Sequence, residues 1–217
     1  MPVPDEVRVG IIGAGHIGAT VGRLLAGADH DVMLSYAHDQ EQLETRAAEI
    51  GPKASAGTVA EAAAFGPVVL LSVPWERIDE VLAEAGDVSG KVVIDTTNPF
   101  AGGGLVELPA GATSAQVNAA RMPAAHVVKA FNTLTAGFLA ESAGRAGDDR
   151  VVIFYSGDDT EANTTAGGLI EDAGFVPVRI GGLADSAPME MPRRAGAVVG
   201  EEFHLADAWD FVDSLPR

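Results

Sequence analysis

Six consecutive residues, Gly13-Ala14-Gly15-His16-Ile17-Gly18, set three glycines in the pattern G-x-G-x-x-G. The chemistry such a pattern can do belongs to the backbone. Gly13 allows a tight turn. Gly15 lets main-chain amides approach a pyrophosphate with no Cβ in the way, and Gly18 lets the following helix pack close to the preceding strand. The free N–H groups at the helix start, with its partial positive charge, then grip a diphosphate. In a chain with 26 glycines the spacing alone says little. Its placing says more: it follows a strand pattern at Val7–Ile12 and opens a helix pattern from His16 to Ala28, with Ile17, Val21, Leu24 and Leu25 on one face. A tight strand–helix turn with no ligand is the plain alternative.

If a dinucleotide binds there, the next strand decides which one. An NAD site usually carries Asp or Glu about 20 residues on, holding the ribose hydroxyls. This chain reads Leu34-Ser35-Tyr36-Ala37-His38, with no acid before Asp39. A carboxylate would repel a 2′-phosphate, so its absence permits NADP(H), with NAD as the alternative. Ser35 can donate a hydrogen bond, Tyr36 can flank an adenine, and His38 can donate or carry charge.

Further candidates stand where strands end, since in doubly wound folds the C-terminal strand ends face the ligand crevice. Val73, Pro74 and Trp75 follow an apolar run at Val68–Val73. Trp75 reads equally as a pocket wall or as a packing residue. Asp95 precedes Thr97 and Asn98, where a capping role competes with a functional one. Lys129 sits in an apolar strand, where a charge is costly unless paired, and an edge position reaching solvent is one way out. Asn132 and Thr133 could hydrogen-bond a carbonyl or carboxamide. His16 borders the glycine loop, and His126 and His204 show no metal-ligand spacing. We find no catalytic triad, no HExxH and no paired-carboxylate motif. Direct hydride transfer requires none of these, because the cofactor supplies the chemistry.

The elements that must position these residues alternate strand and helix. Asp39 with Gln42, and Thr58 with Glu61, read as capping boxes opening helices that close at Gly51 and Gly66. Strand patterns recur at 68–73, 91–96, 126–131, 150–156 and 175–180. Helix patterns fall at 75–85, 114–121, within 135–143 and at 160–173, and a terminal helix lies within 201–214. Residues 98–113, with two prolines and glycines at 102–104, form a long loop. The alternation predicts an α/β, doubly wound, mostly parallel sheet of the Rossmann type over residues 1–183, with a short C-terminal extension at 184–217.

A net charge of −17 from 31 acidic and 14 basic residues argues against nucleic acid and anionic membrane surfaces as partners. It also means that any anionic cofactor must be held by local amides or a few placed cations. With no cysteine, thiolate chemistry and disulfides are excluded. No run approaches the ~20 apolar residues of a membrane span, and the start lacks a secretion-signal pattern. A cytoplasmic protein is expected.

The segments VGIIGAGHIG, LSYAHD, LLSVPWERID, KVVIDTTNPF and VVKAFNT, in this order over roughly residues 7–183, resemble the F420-dependent NADP oxidoreductases, whose nucleotide-binding domain is shared with the STEAP-type ferrireductases. The resemblance implies hydride exchange between NADP(H) and coenzyme F420, or another flavin-like or small acceptor, often in a homodimer. Carried over by position, Gly13, Gly15, His16, Ile17 and Gly18 match the phosphate loop. Ser35, Tyr36 and His38 match the 2′-phosphate loop, Val73, Pro74 and Trp75 the nicotinamide side, and Asn98 a further cofactor contact. Phe131, Asn132 and Thr133 match the acceptor side. The family commonly places Arg where this chain has His38. A binding protein without turnover, acting as a sensor or regulator, is the rival expectation.

Overall fold

Unbroken apolar runs require cover on both faces, and the chain places them at the centre of a sheet. A computed structural model describes residues 6–36, 39–194 and 196–215. The strands are β1 (Arg8–Ile12), β2 (Asp31–Ser35), β3 (Ala54–Ala56), β4 (Val68–Leu71), β5 (Val92–Asp95), β6 (Phe100–Ala101), β7 (Gly104–Leu105), β8 (His126–Lys129), β9 (Val152–Gly157) and β10 (Val176–Gly181). The helices are α1 (His16–Gly27), α2 (Gln40–Ile50), α3 (Val59–Phe65), α4 (Ile78–Ala85), α5 (Ser114–Arg121), α6 (Ala136–Ser142), α7 (Thr160–Asp172) and α8 (Leu205–Ser214). Eight strands form one sheet in the order β10-β9-β8-β5-β4-β1-β2-β3. All neighbours pair in parallel except β8 and β9, so the doubly wound, mostly parallel Rossmann-type α/β fold read from the sequence is the fold observed.

Two apolar layers cover the sheet. One gathers Val21 and Leu25 of α1, Leu43 of α2, Leu139 of α6 and Leu169 of α7. The other gathers Val59 of α3, Ile78 and Val81 of α4, and Ala115 of α5. A third, smaller core joins the C-terminal extension to β9 and β10. There the Phe154 ring meets Phe203 at 5.1 Å and Phe211 at 5.3 Å, both edge-on, so the extension is packed onto the sheet.

Several local expectations are corrected. β3 is only three small residues, too short to show a pattern. The strand at Val68 stops at Leu71, and Trp75–Arg77 is a tight 3₁₀ turn before α4. The long loop holds the hairpin of β6 and β7. Thr58 and Glu61 close a reciprocal box, with the Thr58 N–H donating to Glu61 Oε2 at 2.8 Å and the Glu61 N–H to Thr58 Oγ1 at 3.2 Å. Asp39 caps α2 differently: it accepts from Glu41 N–H at 2.9 Å, so Gln42 has no box to complete. Among the described residues no helix is long and apolar enough to cross a membrane.

Candidate functional site

In the order β3-β2-β1-β4-β5 the chain adds β2 and β3 on one side of β1, and β4 and β5 on the other, and that switch point between the parallel β1 and β4 leaves a crevice at the strand ends. A cavity of about 820 Å³ lies there, lined by Gly13, Gly15, Tyr36, Arg46, Pro74 and Arg77 among others. The three glycines divide the work. Gly13 has φ 112°, and a Cβ on it would stand 2.2 Å from the Ser72 carbonyl oxygen. A Cβ on Gly18 would stand 1.9 Å from the carbonyl oxygen of Gly13. Both are therefore required by the protein's own packing. Gly15 is different. It has an ordinary φ of −72°, it is exposed, and a Cβ there would meet nothing within 4 Å. Gly15 is the N-cap of α1, with no side-chain cap and no acid in the first turn. The helix thus opens with bare amides at the cavity.

Tyr36, at φ 56°, carries the chain over the end of β2. Its hydroxyl accepts from Arg77 Nε at 2.6 Å, and the Arg77 guanidinium lies 6.0 Å from the ring centroid. Arg77 also meets Glu80 at 2.8 Å, and the Tyr36 hydroxyl, then Glu80, raise its pKa further. Arg46 reaches from α2 to the carbonyl oxygen of Ala14. Two guanidinium groups therefore line this end of the cavity, beside the exposed carboxylate-bearing Glu76. Sequence reasoning missed both. Gln42 and Arg46 lie four residues apart on one face of α2, a signal that was readable; Arg77 carried none beyond following Trp75.

Of the cofactor candidates, Gly13 and Gly15 of the phosphate loop, Tyr36 of the 2′-phosphate loop, and Val73 and Pro74 of the nicotinamide side line the cavity. His16 and Ile17 stand at the start of α1, and Gly18 packs beneath the loop. The Ser35 hydroxyl is buried and donates to the Ile11 carbonyl oxygen at 2.9 Å, while its own carbonyl accepts from Gly13 and Ala14. Ser35 shapes the turn from below. His38 lies outside the described residues. Trp75 is buried in the second apolar layer with the Arg121 guanidinium 4.8 Å above its ring, the packing alternative.

Behind the crevice lies a buried polar network. Lys129 and Asp95 are both fully buried and pair at 3.0 Å. Asp95 also accepts from the Thr97 N–H and from Asn118 Nδ2, each at 2.8 Å, and Lys129 donates to the Thr97 carbonyl oxygen as well. The edge reading of Lys129 is thus overturned: β8 lies between β5 and β9, and the charge is met from inside. Asp95 is a loop cap and an ion-pair partner at once.

The acceptor-side candidates lie under the C-terminal extension. Phe131, at φ 57°, turns its ring into the core, 6.5 Å and edge-on from Phe175. Asn132 Nδ2 donates to the Met189 carbonyl oxygen at 2.6 Å, and the Thr133 carbonyl accepts from Gly200 N–H at 2.7 Å. Asn98 Nδ2 donates to the Asn132 carbonyl oxygen at 2.9 Å, and its own oxygen accepts from Met191 N–H at 3.4 Å. These residues tie the extension to the ends of β5 and β8.

Residues 8–99 match a family model described as NADP oxidoreductase, coenzyme F420-dependent. Metalloreductase STEAP3 of Rattus norvegicus is 30% identical over 190 residues, which cover 87% of this chain. They cover 37% of that protein, so the chain spans little more than a third of the relative's length. Among solved structures, the hypothetical protein SMa0349 from Sinorhizobium meliloti is 28% identical with a TM-score of 0.78, covering 94% of this chain and 96% of its own. A candidate F420-dependent NADP reductase from Arthrobacter sp. FB24 is 23% identical with a TM-score of 0.67, covering 82% and 86%. A reductive aminase from Aspergillus terreus, solved with NADPH and ethyl levulinate, is 18% identical with a TM-score of 0.60, covering 84% and 57%. At these last identities the likeness is one of fold.

Proposed function

From the match of residues 8–99 to the model of the F420-dependent NADP oxidoreductases, we propose that the chain belongs to that family, binds NADP(H) in the β1–β4 crevice and delivers its hydride to a bound acceptor. The carrying observation is Gly15: a glycine with ordinary dihedrals and empty space where its Cβ would be, so the protein's own packing gives no reason for it. A diphosphate lying on the α1 amides supplies one.

The reduced nicotinamide supplies the hydride, and the chain's residues bind, orient and shield. The uncapped amides of α1 hold the diphosphate against a net charge of −17. Val73 and Pro74 line the same cavity. At the ribose end, the lack of a carboxylate on Ser35 or Tyr36 and the two guanidinium groups of Arg46 and Arg77 favour a 2′-phosphate over a free hydroxyl. Arginines from α2 and from the turn after β4 would thereby supply the charge that the family commonly places where this chain has His38. The acceptor is F420, another flavin-like ring or a small carbonyl or imine compound.

Paired titrations with NADPH and NADH, on the parent and on Arg46→Gln and Arg77→Gln, test this reading. Losing one charge-assisted contact weakens NADPH binding by roughly 1.5–3 kcal/mol, at least tenfold, with NADH nearly unchanged. An equal loss for both cofactors refutes the placement of the 2′-phosphate. NADPH oxidation with F420, flavins or imines separates an enzyme from a sensor.

A further inference from the structure

A second cavity, of about 410 Å³, lies between the loop at residues 105–113 and the C-terminal extension at residues 184–194. Its lining is mixed, with the apolar Leu108, Pro109, Ala187, Met191 and Pro192 set among slightly more polar surface, and Arg194 completes it. Two carboxylates also line it. That of Glu190 is buried and turned to the start of α5: it accepts from Ser114 N–H at 2.6 Å, Ala115 N–H at 2.9 Å and Ser186 Oγ at 2.7 Å. Glu107 is exposed, on the outer loop.

Arg194 is exposed and, among the described residues, faces no carboxylate within ion-pair distance, in contrast to Lys53, Arg77, Arg121, Lys129, Arg145 and Arg193. It shares that with Arg8, Arg23, Arg46, Lys91, Arg150 and Arg179; of these, Arg46 lines the β1–β4 crevice, as Arg194 lines this cavity. The walls are also held in place. Met191 N–H donates to Asn98 Oδ1, Asn132 holds the Met189 carbonyl oxygen, and the Glu190 carboxylate pins the extension to α5. β7, whose Leu105 lines the cavity, pairs with β6, and β6 packs against the Trp75–Arg77 turn that borders the cofactor crevice. One hairpin thus separates the two cavities.

We propose that this cavity is a binding site for a compact carboxylate with a short apolar body, its carboxylate on Arg194 and its body against Leu108, Pro109, Met191 and Pro192. The volume is at the small end of ligand pockets. One guanidinium suits a single carboxylate, in bidentate contact, and a long polyanionic tail would find no second cation among the lining residues. The binding does not rest on the oxidoreductase reading.

The test uses phenylacetate and its neutral isostere phenylacetamide as probes, titrated calorimetrically into the full chain with NADP⁺ present. Phenylacetate binds saturably, and phenylacetamide binds at least about tenfold more weakly, the factor expected for losing one charged hydrogen-bonded contact. Arg194→Gln brings phenylacetate down to the level of the amide, Arg194→Lys restores part of the difference, and Ala110→Trp, which fills the cavity from an exposed loop position, weakens both probes. NADPH binding is unchanged in all three variants. Equal binding of acid and amide, no binding of either, or an Arg194→Gln protein that binds phenylacetate like the parent each overturns the proposal. Phenylacetate binding in a chain that fails to bind NADPH would instead leave this site standing and sink the oxidoreductase reading.

Discussion

Substituting Gly15 and Gly18 separates a glycine kept for a ligand from one kept for the fold. At Gly15 the backbone sits at φ −72°, ψ −162°, and an added Cβ meets nothing within 4 Å. Alanine there gains about 0.4–1 kcal/mol from a stiffer unfolded chain and loses a similar amount as a poorer helix N-cap. The melting temperature should barely move. At Gly18 the Cβ would be 1.9 Å from the Gly13 carbonyl oxygen, so α1 must shift away from the loop. Such overpacking costs about 1–3 kcal/mol, a fall of several degrees for a chain of this length. Binding should rank the other way. Valine at Gly15 puts a branched Cβ between the α1 amides and a diphosphate, and losing two hydrogen bonds to a charged group at about 1.5 kcal/mol each weakens NADPH at least about 100-fold. Thermal melts and NADPH fluorescence titrations on Gly15→Ala, Gly15→Val and Gly18→Ala read both quantities. A Gly15→Val protein that melts like the parent and binds NADPH equally well would show that the loop grips no diphosphate.

Two further predictions concern the scaffold. Lys129→Met leaves Asp95 as a buried charge without its cation and should cost about 3–5 kcal/mol in urea unfolding. Adding Asp95→Asn should recover much of that loss, and a second substitution that only deepens it would contradict the pair. The Glu61 carboxyl is held below its ordinary pKa by the Thr58 N–H, then by the Thr58 hydroxyl. A carboxyl lowered in the fold stabilises fully above its unfolded pKa and loses that stabilisation as the pH falls through the folded one. The melting temperature of Glu61→Gln should therefore approach that of the parent only in acid, and a difference that persists unchanged at acid pH would remove Glu61 as the cause.

Local rules made the glycine turn readable. A strand, three glycines at set spacing and an amphipathic helix occupy consecutive residues, so the turn and the bare helix start follow from dihedral and steric limits within one stretch of chain. The Thr58–Glu61 box is legible for the same reason, being a contact across three residues. The position of β3 was not, because three small residues carry no periodicity. Nor was the antiparallel pairing of β9 with β8, since an apolar run looks the same whichever way the strand points.

What only the tertiary structure decided are the encounters between distant residues. Arg46 arrives at Ala14 from 32 positions away and Arg77 at Tyr36 from 41, and together they bring two guanidinium groups to the end of β2. Lys129 is tolerable in the centre of the sheet because the strand order brings Asp95 beside it across 34 residues. Glu190 caps a helix that begins 76 residues earlier. Hydrophobic periodicity sets which face of a strand or helix is buried. It carries no information on which element lies next to which, and long-range charges and hydrogen bonds are chosen only once that order exists.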